Sequence, residues 1–415
     1  MRIAVLGAGV IGVTAAWELL RDGHEVVLID REEEAASFTS AGNAGLISPG
    51  HAYAWASPAA PGMLVRSLWR NDQALRFKPS LDARLWSWTL KFLGQCTEAA
   101  AARNTAAKVG LCTYSRDRLN LIAEETGIAF SHVTDGCLFL HRSQAALVAA
   151  SKKADVLRRQ GVEVRTVTMA EAVAIDPALA PLTNQFAGAL YAPGDQSGDC
   201  RTFVRALAAK VAEAGGDVRF GTTVQALDIS GDRVTRAVTD KGDVVADAYM
   251  VSLGVMSPFL VKTAGLDLPI YPIKGYSLTA PVAGRNNAPR VGGIDEANLI
   301  AYARYDDRIR VTATAEFAGY DTSYTEKDFR HMYATIRSMF PDAADWQRTE
   351  FWAGLRPMTP TGLPIFGRGR VQNLWINTGQ GHMGWTMGAG SARIAADLIA
   401  GRAPEVDTAG MMLPN

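Results

Sequence analysis

Two groups of residues in this chain have the types and spacing that binding or catalysis requires. Near the N-terminus, Gly7, Gly9 and Gly12 form the pattern G-x-G-x-x-G. Near the C-terminus, Arg356 is the one charged residue of the stretch 351–367, which is rich in aromatic residues, proline and glycine. A guanidinium is costly to bury without an anionic partner, so this arginine predicts either a distant carboxylate or an anionic ligand. Its planar fork suits two parallel hydrogen bonds to a carboxylate.

The glycine pattern lies in the local context that a dinucleotide-binding unit requires. Residues 1–30 predict a short apolar strand, a glycine turn, an amphipathic helix and a second strand that ends at Asp30. In such a unit the glycines permit the turn and the approach of a pyrophosphate, and the first helical residues, Val10 and Ile11, offer N–H groups to the phosphates. Asp30 is placed to accept hydrogen bonds from a ribose. The pattern does not separate NAD from FAD, and Arg31 is either a 2′-phosphate contact or, as is more usual after a strand, simply solvated.

Two later glycine-rich stretches favour FAD. Residues 39–50 (TSAGNAGLISPG) are too small to fill a core, so they predict either a loop lying against a ligand ring or a flexible surface loop. Residues 374–400 predict a strand, a glycine loop and a helix whose N-terminus serves an electron-poor or anionic group. A long FAD molecule threaded between segments needs this second loop, whereas NAD does not. With the ends of two intervening strands included, the predicted cofactor-binding residues are Gly7, Gly9, Val10, Ile11, Gly12, Asp30, Arg31, Ser40, Asn43, Ala44, Gly45, Leu46, Val224, Gly254, Gly379, Gly381, His382, Met383, Gly384 and Trp385.

Bulk composition limits the classes of function. The 415 residues predict two or more domains, and 42 basic residues balance 42 acidic ones, so no nucleic-acid partner is expected. The four cysteines are widely spaced and no histidine pair has metal-ligand spacing, so neither a disulfide scaffold nor a metal site is predicted. Segments 3–17 and 35–65 lack Lys, Arg, Asp and Glu, but glycines or prolines interrupt both. We therefore expect a cytoplasmic protein without a signal peptide or spanning helix.

Taken together, these motifs resemble those of the FAD-dependent amine and D-amino acid oxidoreductases, the family of glycine oxidase, sarcosine oxidase and D-amino acid oxidase. The similarity is greatest to its bacterial branch of D-amino acid dehydrogenases, whose small subunit carries the flavin. The resemblance extends from residue 1 to about residue 402. It is carried by the stretches LGAGVIGV, TSAGNAGLISPG, YPIKGYSLT, RIRVTATAE, FWAGLRPMTPTGLPIFGR and NTGQGHMGWTMGAGS.

The resemblance implies a mixed α/β fold. In this family a glutathione-reductase-type Rossmann domain that binds FAD is interleaved with a substrate domain built on a mixed sheet. Mapped onto this chain, the FAD domain takes residues 1–50, 196–265 and 355–415, and the substrate domain takes residues 51–195 and 266–354. The alternating stretch RIRVTATAEF agrees with a half-exposed mixed sheet rather than a parallel core.

The resemblance also implies roles for individual residues. Arg356 matches the arginine that pairs with the substrate carboxylate, against the alternative of a remote structural acid. His382 lies where family members place a residue over the flavin or beside the substrate, against the alternative of a surface histidine packed on the loop. Tyr276 and Tyr302 fall on strands that face the flavin, although aromatic strand residues are usually core.

The activity implied is oxidation of D-amino acids to 2-oxo acids and ammonia, with electrons passed to a quinone or another carrier. No general base is nominated, because the flavin carries the oxidation. No cysteine follows Cys200, which excludes a cysteinyl flavin in the C-terminal half and predicts noncovalent FAD. A dehydrogenase of D-proline or D-hydroxyproline and a glycine- or sarcosine-type oxidase using O2 are the alternatives. A non-catalytic flavoprotein is an alternative of a different class.

The segment 55–93 combines aromatic and basic residues. It contains four tryptophans (Trp55, Trp69, Trp86 and Trp88), and six basic residues (Arg66, Arg70, Arg76, Lys78, Arg84 and Lys91) against two acidic ones (Asp72 and Asp82). This composition predicts either an interfacial segment near anionic lipid or helices packed over the active site. The dehydrogenases that the chain resembles are peripheral inner-membrane enzymes, so the resemblance implies a peripheral membrane location.

Overall fold

A computed structural model describes residues 1–67, 75–282, 284 and 287–413. In chain order its strands are β1 (Arg2–Leu6), β2 (Glu25–Ile29), β3 (Leu46–Ile47), β4 (Leu75–Phe77), β5 (Cys137–His141), β6 (Arg165–Val167), β7 (Gly188–Ala192), β8 (Gln196–Ser197), β9 (Asp217–Arg219), β10 (Val224–Ser230), β11 (Arg233–Thr239), β12 (Ala248–Val251), β13 (Tyr271–Pro281), β14 (Gly292–Asp295), β15 (Ile300–Tyr305), β16 (Arg308–Phe317), β17 (Glu350–Met358), β18 (Ile365–Arg368) and β19 (Leu374–Thr378). Its α-helices are α1 (Val10–Arg21), α2 (Ala60–Ser67), α3 (Ala83–Gly94), α4 (Glu98–Thr126), α5 (Gln144–Lys153), α6 (Asp155–Arg158), α7 (Met169–Ile175), α8 (Cys200–Glu213), α9 (Ser257–Val261), α10 (Glu326–Met339) and α11 (Gly384–Ile399).

The first sheet has the strand order β18-β19-β12-β1-β2-β9. Its pairs are parallel except for β18, which runs antiparallel to β19 at the edge. Alternate residues of β1 pack on opposite sides, with Ile3 and Val5 against α1, α8 and α11, and Ala4 and Leu6 against residues of β10, β11 and α9. Coverage of both faces explains why these strands are short apolar runs rather than alternating ones.

The second sheet is larger and mixed. Its order is β17-β13-β16-β15-β14-β5-β7-β6, and β4 pairs with β16. Two of its pairs, β14 with β5 and β16 with β4, are parallel, and the others are antiparallel. One face packs on α10 and α7, which form a core with the sheet. The mixed α/β fold class predicted from the sequence is confirmed.

The strands of the two sheets alternate along the chain. The first sheet draws its strands from residues 2–29, 217–251 and 365–378, and the second from 75–192 and 271–358. This alternation supports the interleaved division into FAD and substrate domains, which we keep as a proposal. Strand β17 runs across the boundary expected at residue 355, so Arg356 belongs to the second sheet.

One predicted strand differs from the structure. The sequence around 215–227 predicts a single strand ending near Val224, whereas β9 ends at Arg219 and β10 begins at Val224. The two strands are separated by a turn at Phe220 and Gly221. This turn sends the chain from the first sheet to the separate β10–β11 hairpin, and Val224 therefore starts a strand instead of ending one.

Candidate active site

A cavity of about 800 Å³ is lined by residues from both sheets. Its walls include the first glycine turn, the segment 39–50, the loop before α11, and strands β13, β15, β16 and β17. A single cavity therefore brings together the two groups of residues that the sequence singled out. Its volume is in the range of cofactor and substrate sites.

At one end of the cavity the first glycine turn forms a backbone cradle. Gly7 has φ +109°, and a Cβ there would lie 2.6 Å from the carbonyl oxygen of Ser252. Gly9 precedes α1 without a side-chain cap, and Val10 N donates to Ser40 Oγ at 3.0 Å. A Cβ on Gly12 would lie only 1.7 Å from the carbonyl oxygen of Gly7, so the helix can pack against the turn only with glycine at this position. These features match the requirements of a pyrophosphate at a helix N-terminus.

Asp30 lies beside this cradle at the end of β2. Its carboxylate accepts hydrogen bonds from Ala8 N at 2.5 Å and Glu32 N at 2.9 Å, and burial raises its pKa. A carboxylate has about four lone-pair sites, so acceptor capacity remains for a ribose. Arg31 lines the cavity too, but its Nε donates to Glu32 Oε1 at 3.1 Å, and its guanidinium lies over the Phe38 ring.

The C-terminal glycine loop presents a second helix N-terminus to the same cavity. A short 3-10 helix, Gly381–Met383, leads directly into α11, which begins at Gly384 without a side-chain cap. Residues 381–385 line the cavity, so the unpaired N–H groups at the start of α11 can face an electron-poor ring. Gly379 does not line the cavity; it packs on Thr359.

The segment 39–50 is held in place by its own hydrogen bonds. Asn43 Nδ2 donates to the carbonyl oxygen of Ser40 at 2.8 Å, and Gly45 N donates to Asn43 Oδ1 at 2.7 Å. Ser40, Asn43, Ala44 and Leu46 line the cavity. Gly45 lies behind the wall, where a Cβ would come within 2.4 Å of Tyr305 Oη. These bonds favour a loop fixed against the ligand over a flexible one.

The residues present therefore match FAD, with a phosphate cradle, a ribose acceptor and a second helix N-terminus in one cavity. The predicted cofactor residues that line it are Gly7, Gly9, Val10, Ile11, Asp30, Arg31, Ser40, Asn43, Ala44, Leu46, Val224, Gly254, Gly381, His382, Met383, Gly384 and Trp385. Three further predicted residues, Gly12, Gly45 and Gly379, do not line the cavity. They lie behind its wall, where a Cβ would collide with neighbouring atoms.

Arg356 projects into the cavity from β17. Its Nη1 donates to the carbonyl oxygen of Thr314 at 2.8 Å, and it forms no ion pair with any residue that the structure describes. Burial lowers the pKa of the guanidinium to about 10, which still leaves it charged at neutral pH. A Cβ on Gly275 would lie 2.4 Å from Arg356 Cζ, so the lack of a side chain at Gly275 leaves the space that the guanidinium occupies. None of the described residues is therefore a candidate for the distant carboxylate that the sequence left open as a structural partner of Arg356.

Three aromatic rings, those of Trp55, Trp352 and His382, line the same cavity as the arginine. The ring of His382 stacks on Trp55 with centroids 4.5 Å apart and an interplanar angle of 26°. Trp352 shares the Arg356 face of β17, and its indole lies over Gly42 and Gly354, where a Cβ would come within 2.0 and 1.9 Å of it. Sequence reasoning did not select Trp352. The sequence did contain an indication: Trp352, Gly354 and Arg356 follow one another at intervals of two residues, and this spacing places all three on one face of a strand.

His382 is uncharged at neutral pH. Burial lowers its pKa well below the ordinary value, and the positive charges of Lys108, Arg356 and His51 lower it further. The ring is half-buried in the cavity wall rather than on the protein surface. It therefore lies beside the arginine as a neutral aromatic ring, a position consistent with the role predicted for it.

Tyr276 and Tyr302 do not line the cavity. Their strand neighbours Gly275 and Ala301 do, and consecutive side chains of a strand point to opposite faces of the sheet. Tyr276 Oη donates to Glu316 Oε2 at 2.8 Å, and both tyrosine rings belong to the core on the α10 side. The structure thus places both rings behind the sheet, and we assign neither to the substrate site.

A cluster of ionisable residues lines the same cavity and was missed from the sequence. It consists of His51, Tyr53, His141, Lys153 and Glu296. The five come from three distant regions of the chain, residues 51–53, 141–153 and 296, so no single local motif connects them. The position of His51, directly after the glycine-rich segment 39–50, was the one available signal.

A sequence model of the FAD-dependent oxidoreductases matches residues 2–398. The chain belongs to this family. FAD is therefore its cofactor, and the family consists of oxidoreductases. A relative named D-amino acid dehydrogenase 2 from Mesorhizobium japonicum is 44% identical over 413 residues, which is 99% of each chain. A D-amino acid dehydrogenase from Cereibacter sphaeroides is 45% identical over 411 residues, which is 99% of this chain and 94% of that one.

Solved structures of other enzymes have the same fold. Glycine oxidase from Geobacillus kaustophilus superposes with a TM-score of 0.77 at 22% identity, covering 100% of this chain and 99% of that one. L-proline dehydrogenase from P. horikoshii superposes with a TM-score of 0.72 at 20% identity, covering 97% and 94%. At this level of identity the similarity establishes the fold and leaves the substrate to other arguments.

Proposed function

We propose that this chain oxidises D-amino acids to 2-oxo acids and ammonia and passes the electrons to a quinone or another carrier. The observation that carries the proposal is Arg356, a cavity-facing guanidinium without a carboxylate partner among the described residues. A substrate carboxylate supplies the missing anion, held by two charge-assisted hydrogen bonds. The names of the full-length relatives support the D configuration and the dehydrogenase branch.

The residues around the arginine position the substrate and exclude water. FAD, when bound, supplies the acceptor for the hydride that leaves the substrate Cα. The Arg356 guanidinium fixes the carboxylate, so that the Cα–H bond has a defined direction. Trp55, Trp352 and the neutral ring of His382 line the same cavity and present apolar surface to it. No ionised side chain is needed as a base if the substrate amine is neutral when it reacts.

Anaerobic mixing with matched D- and L-amino acids tests the proposal. We expect D-amino acids to bleach the oxidised-flavin absorbance band and their L-enantiomers to leave it intact. Reduced enzyme should then pass electrons to a soluble quinone analogue much faster than to oxygen. Bleaching confined to D-proline and D-hydroxyproline would establish the narrower dehydrogenase, rapid peroxide formation would establish an oxidase, and no bleaching by any amino acid would contradict the proposal.

We further propose that the surface around α2 and α3 contacts a membrane. Helix α3 buries Leu85, Trp88 and Phe92 but exposes Trp86, Leu90 and Leu93, which lie at spacings of four and three residues on its other side. Further exposed apolar residues in this part of the chain are Met63, Val65 and Leu81. No helix among the residues described is long and apolar enough to cross a bilayer.

The basic residues of this segment divide into two groups. Arg66, Arg84 and Lys91 are exposed, whereas Arg76 and Lys78 pair with the buried Glu316 at 3.6 and 2.6 Å, so their charges are engaged by the protein. Arg76 also lies 3.4 Å from Asp328. Trp69 and Arg70, which contributed to the sequence prediction, lie outside the described residues. A test of lipid contact must therefore exclude Arg76 and Lys78, because the loss of either would remove a cationic partner of the buried Glu316 carboxylate.

Replacing Leu81 and Leu90 with serine should weaken binding to anionic lipid vesicles. Burial of one leucine contributes about 1.5–3 kcal/mol, so the double variant should bind at least about tenfold more weakly. Vesicle co-sedimentation measures the change, and activity with a soluble dye should be retained. Val148→Ser, at an exposed valine on α5, is the matched control. Equal vesicle binding by the wild type and the double variant would contradict contact through this surface.

A further inference from the structure

One side of the cavity is an apolar wall, which consists of Ala60, Leu64, Trp88, Phe92, Ala315 and Phe317. Every residue that the described parts of α2, β4 and α3 contribute to the cavity is apolar. The rings of Trp88 and Phe92 stack with centroids 5.1 Å apart. Trp88 Nε1 donates to the carbonyl oxygen of Met358 at 2.8 Å, so its N–H group is satisfied within the protein and the indole offers the cavity an apolar ring.

The apolar wall adjoins Arg356 along the strands of the second sheet. Trp88 is bonded to Met358, which follows Arg356 by two residues on β17. On β16, the carbonyl oxygen that accepts from Arg356 belongs to Thr314, and Ala315 is the next residue. Two residues of a strand span about 7 Å. The wall therefore begins within reach of the side chain of an amino acid whose carboxylate is held by Arg356.

The other directions from Arg356 are closed or more distant. Along β17 the opposite direction is closed by Trp352, whose indole fills the space over Gly354, where a Cβ would come within 1.9 Å of it. The cluster of ionisable residues lies farther across the sheet. Strands β13, β16 and β15 separate β17 from β14, which precedes Glu296, and β5 with His141 lies beyond β14. The substrate side chain is therefore directed toward the apolar wall.

We propose that the apolar wall receives the side chain of the substrate, so that D-amino acids with large apolar side chains are favoured over polar ones of the same shape. This inference rests on the proposed D-amino acid oxidation. Apolar surface that leaves water for the wall stabilises the complex roughly in proportion to its area. A side-chain amide in the same place would lose its hydrogen bonds to water and find no charged partner on the wall, which weakens binding.

The test compares D-leucine with D-asparagine, whose side chains have the same shape and differ in polarity. The apparent Kd of each is obtained from the concentration dependence of anaerobic flavin reduction. Wild-type protein should bind D-leucine about tenfold or more tightly than D-asparagine. Equal Kd values, or a preference for D-asparagine, would overturn the proposal. Failure of the proposed function is distinguishable, because then no D-amino acid would reduce the flavin.

Leu64→Asn places an amide on the wall and should bring the ratio of the two Kd values toward one. Leu121→Asn, at an exposed leucine of α4 that does not line the cavity, is the matched control and should keep the wild-type ratio. A wild-type ratio in Leu64→Asn would show that the substrate side chain lies elsewhere. Loss of FAD from that variant would show that the wall holds the cofactor instead, which would also overturn the proposal.

Ala315→Val tests the same placement by volume. The two added methyl groups narrow the space between the wall and Arg356, so binding of D-phenylalanine should weaken about tenfold while binding of D-alanine, whose side chain is one methyl group, is retained. Flavin reduction by D-alanine thus serves as the control for folding and for the position of Arg356. Equal weakening of both amino acids would place the effect at Arg356 and contradict a side-chain site at the wall.

Discussion

Arg356→Ala should weaken apparent substrate binding about 30-fold or more while flavin content is retained. Truncating one partner of a buried charge-assisted pair costs about 2–5 kcal/mol, and about 1.4 kcal/mol corresponds to each factor of ten. The guanidinium projects from the second sheet, and the phosphate cradle is formed by the first turn, so removal of the side chain leaves the cofactor site intact. Stopped-flow reduction of the flavin by a D-amino acid measures the change.

Arg356→Lys should recover only part of the lost binding. An ammonium is a point charge and lacks the planar fork that holds both carboxylate oxygens. Near-normal reduction of the alanine variant at ordinary substrate concentrations would show that the carboxylate binds elsewhere. Loss of flavin from that variant would show that Arg356 supports the fold or the cofactor instead.

Gly9→Val should yield folded protein without FAD. Gly9 has φ −73°, which valine adopts without strain, so the backbone can keep its conformation. The new side chain would occupy the space that the pyrophosphate needs at the start of α1. Wild-type protein should be yellow and release all its flavin on acid precipitation, as noncovalent FAD requires, whereas the variant should be colourless with an unchanged circular dichroism spectrum.

Gly110→Val is the matched control for this substitution. Gly110 lies exposed in α4, and a Cβ there would meet no atom within 4 Å. This variant should retain the wild-type FAD content. A yellow Gly9→Val protein with full FAD content would contradict the placement of the pyrophosphate at the first glycine turn.

The parts of the site that were predictable from the sequence are those specified locally. The glycine turn, α1 and Asp30 lie within thirty consecutive residues, so their geometry follows from spacing alone. Arg356 was recognisable because its own stretch contains no acid. The strand before α11 and the end of that helix were also predicted closely: the span 374–400 compares with a strand that begins at Leu374 and a helix that ends at Ile399.

The positions of Tyr276 and Tyr302 required tertiary information. Strand β13 is buried along most of its length on both faces, so no polar and apolar alternation shows which residues face the cavity. The cluster of ionisable residues that lines the cavity was not predictable for a related reason. His141 and Glu296 lie about 150 residues apart in the chain and meet only because β5 pairs with β14.

The count of charges along the segment 55–93 did not show which of them are free at the surface. Arg76 counted there as a surface cation, but pairing of β4 with β16 brings it beside the buried Glu316. The sequence gives the number of charges, whereas their availability to lipid depends on partners supplied by a distant strand. The exposed leucines of the same segment therefore make the more direct probe of membrane contact.

The most direct test of the central claim measures what Arg356 recognises. A D-amino acid that reduces the flavin is compared with its α-amide, which lacks the anionic carboxylate, in wild-type protein and in Arg356→Ala. Wild-type protein should bind the acid about 30-fold or more tightly than the amide, from the same pairing energy of about 2–5 kcal/mol, and the variant should bind both about equally. A preference for the acid that survives in the alanine variant would contradict the assignment of Arg356 as the carboxylate partner.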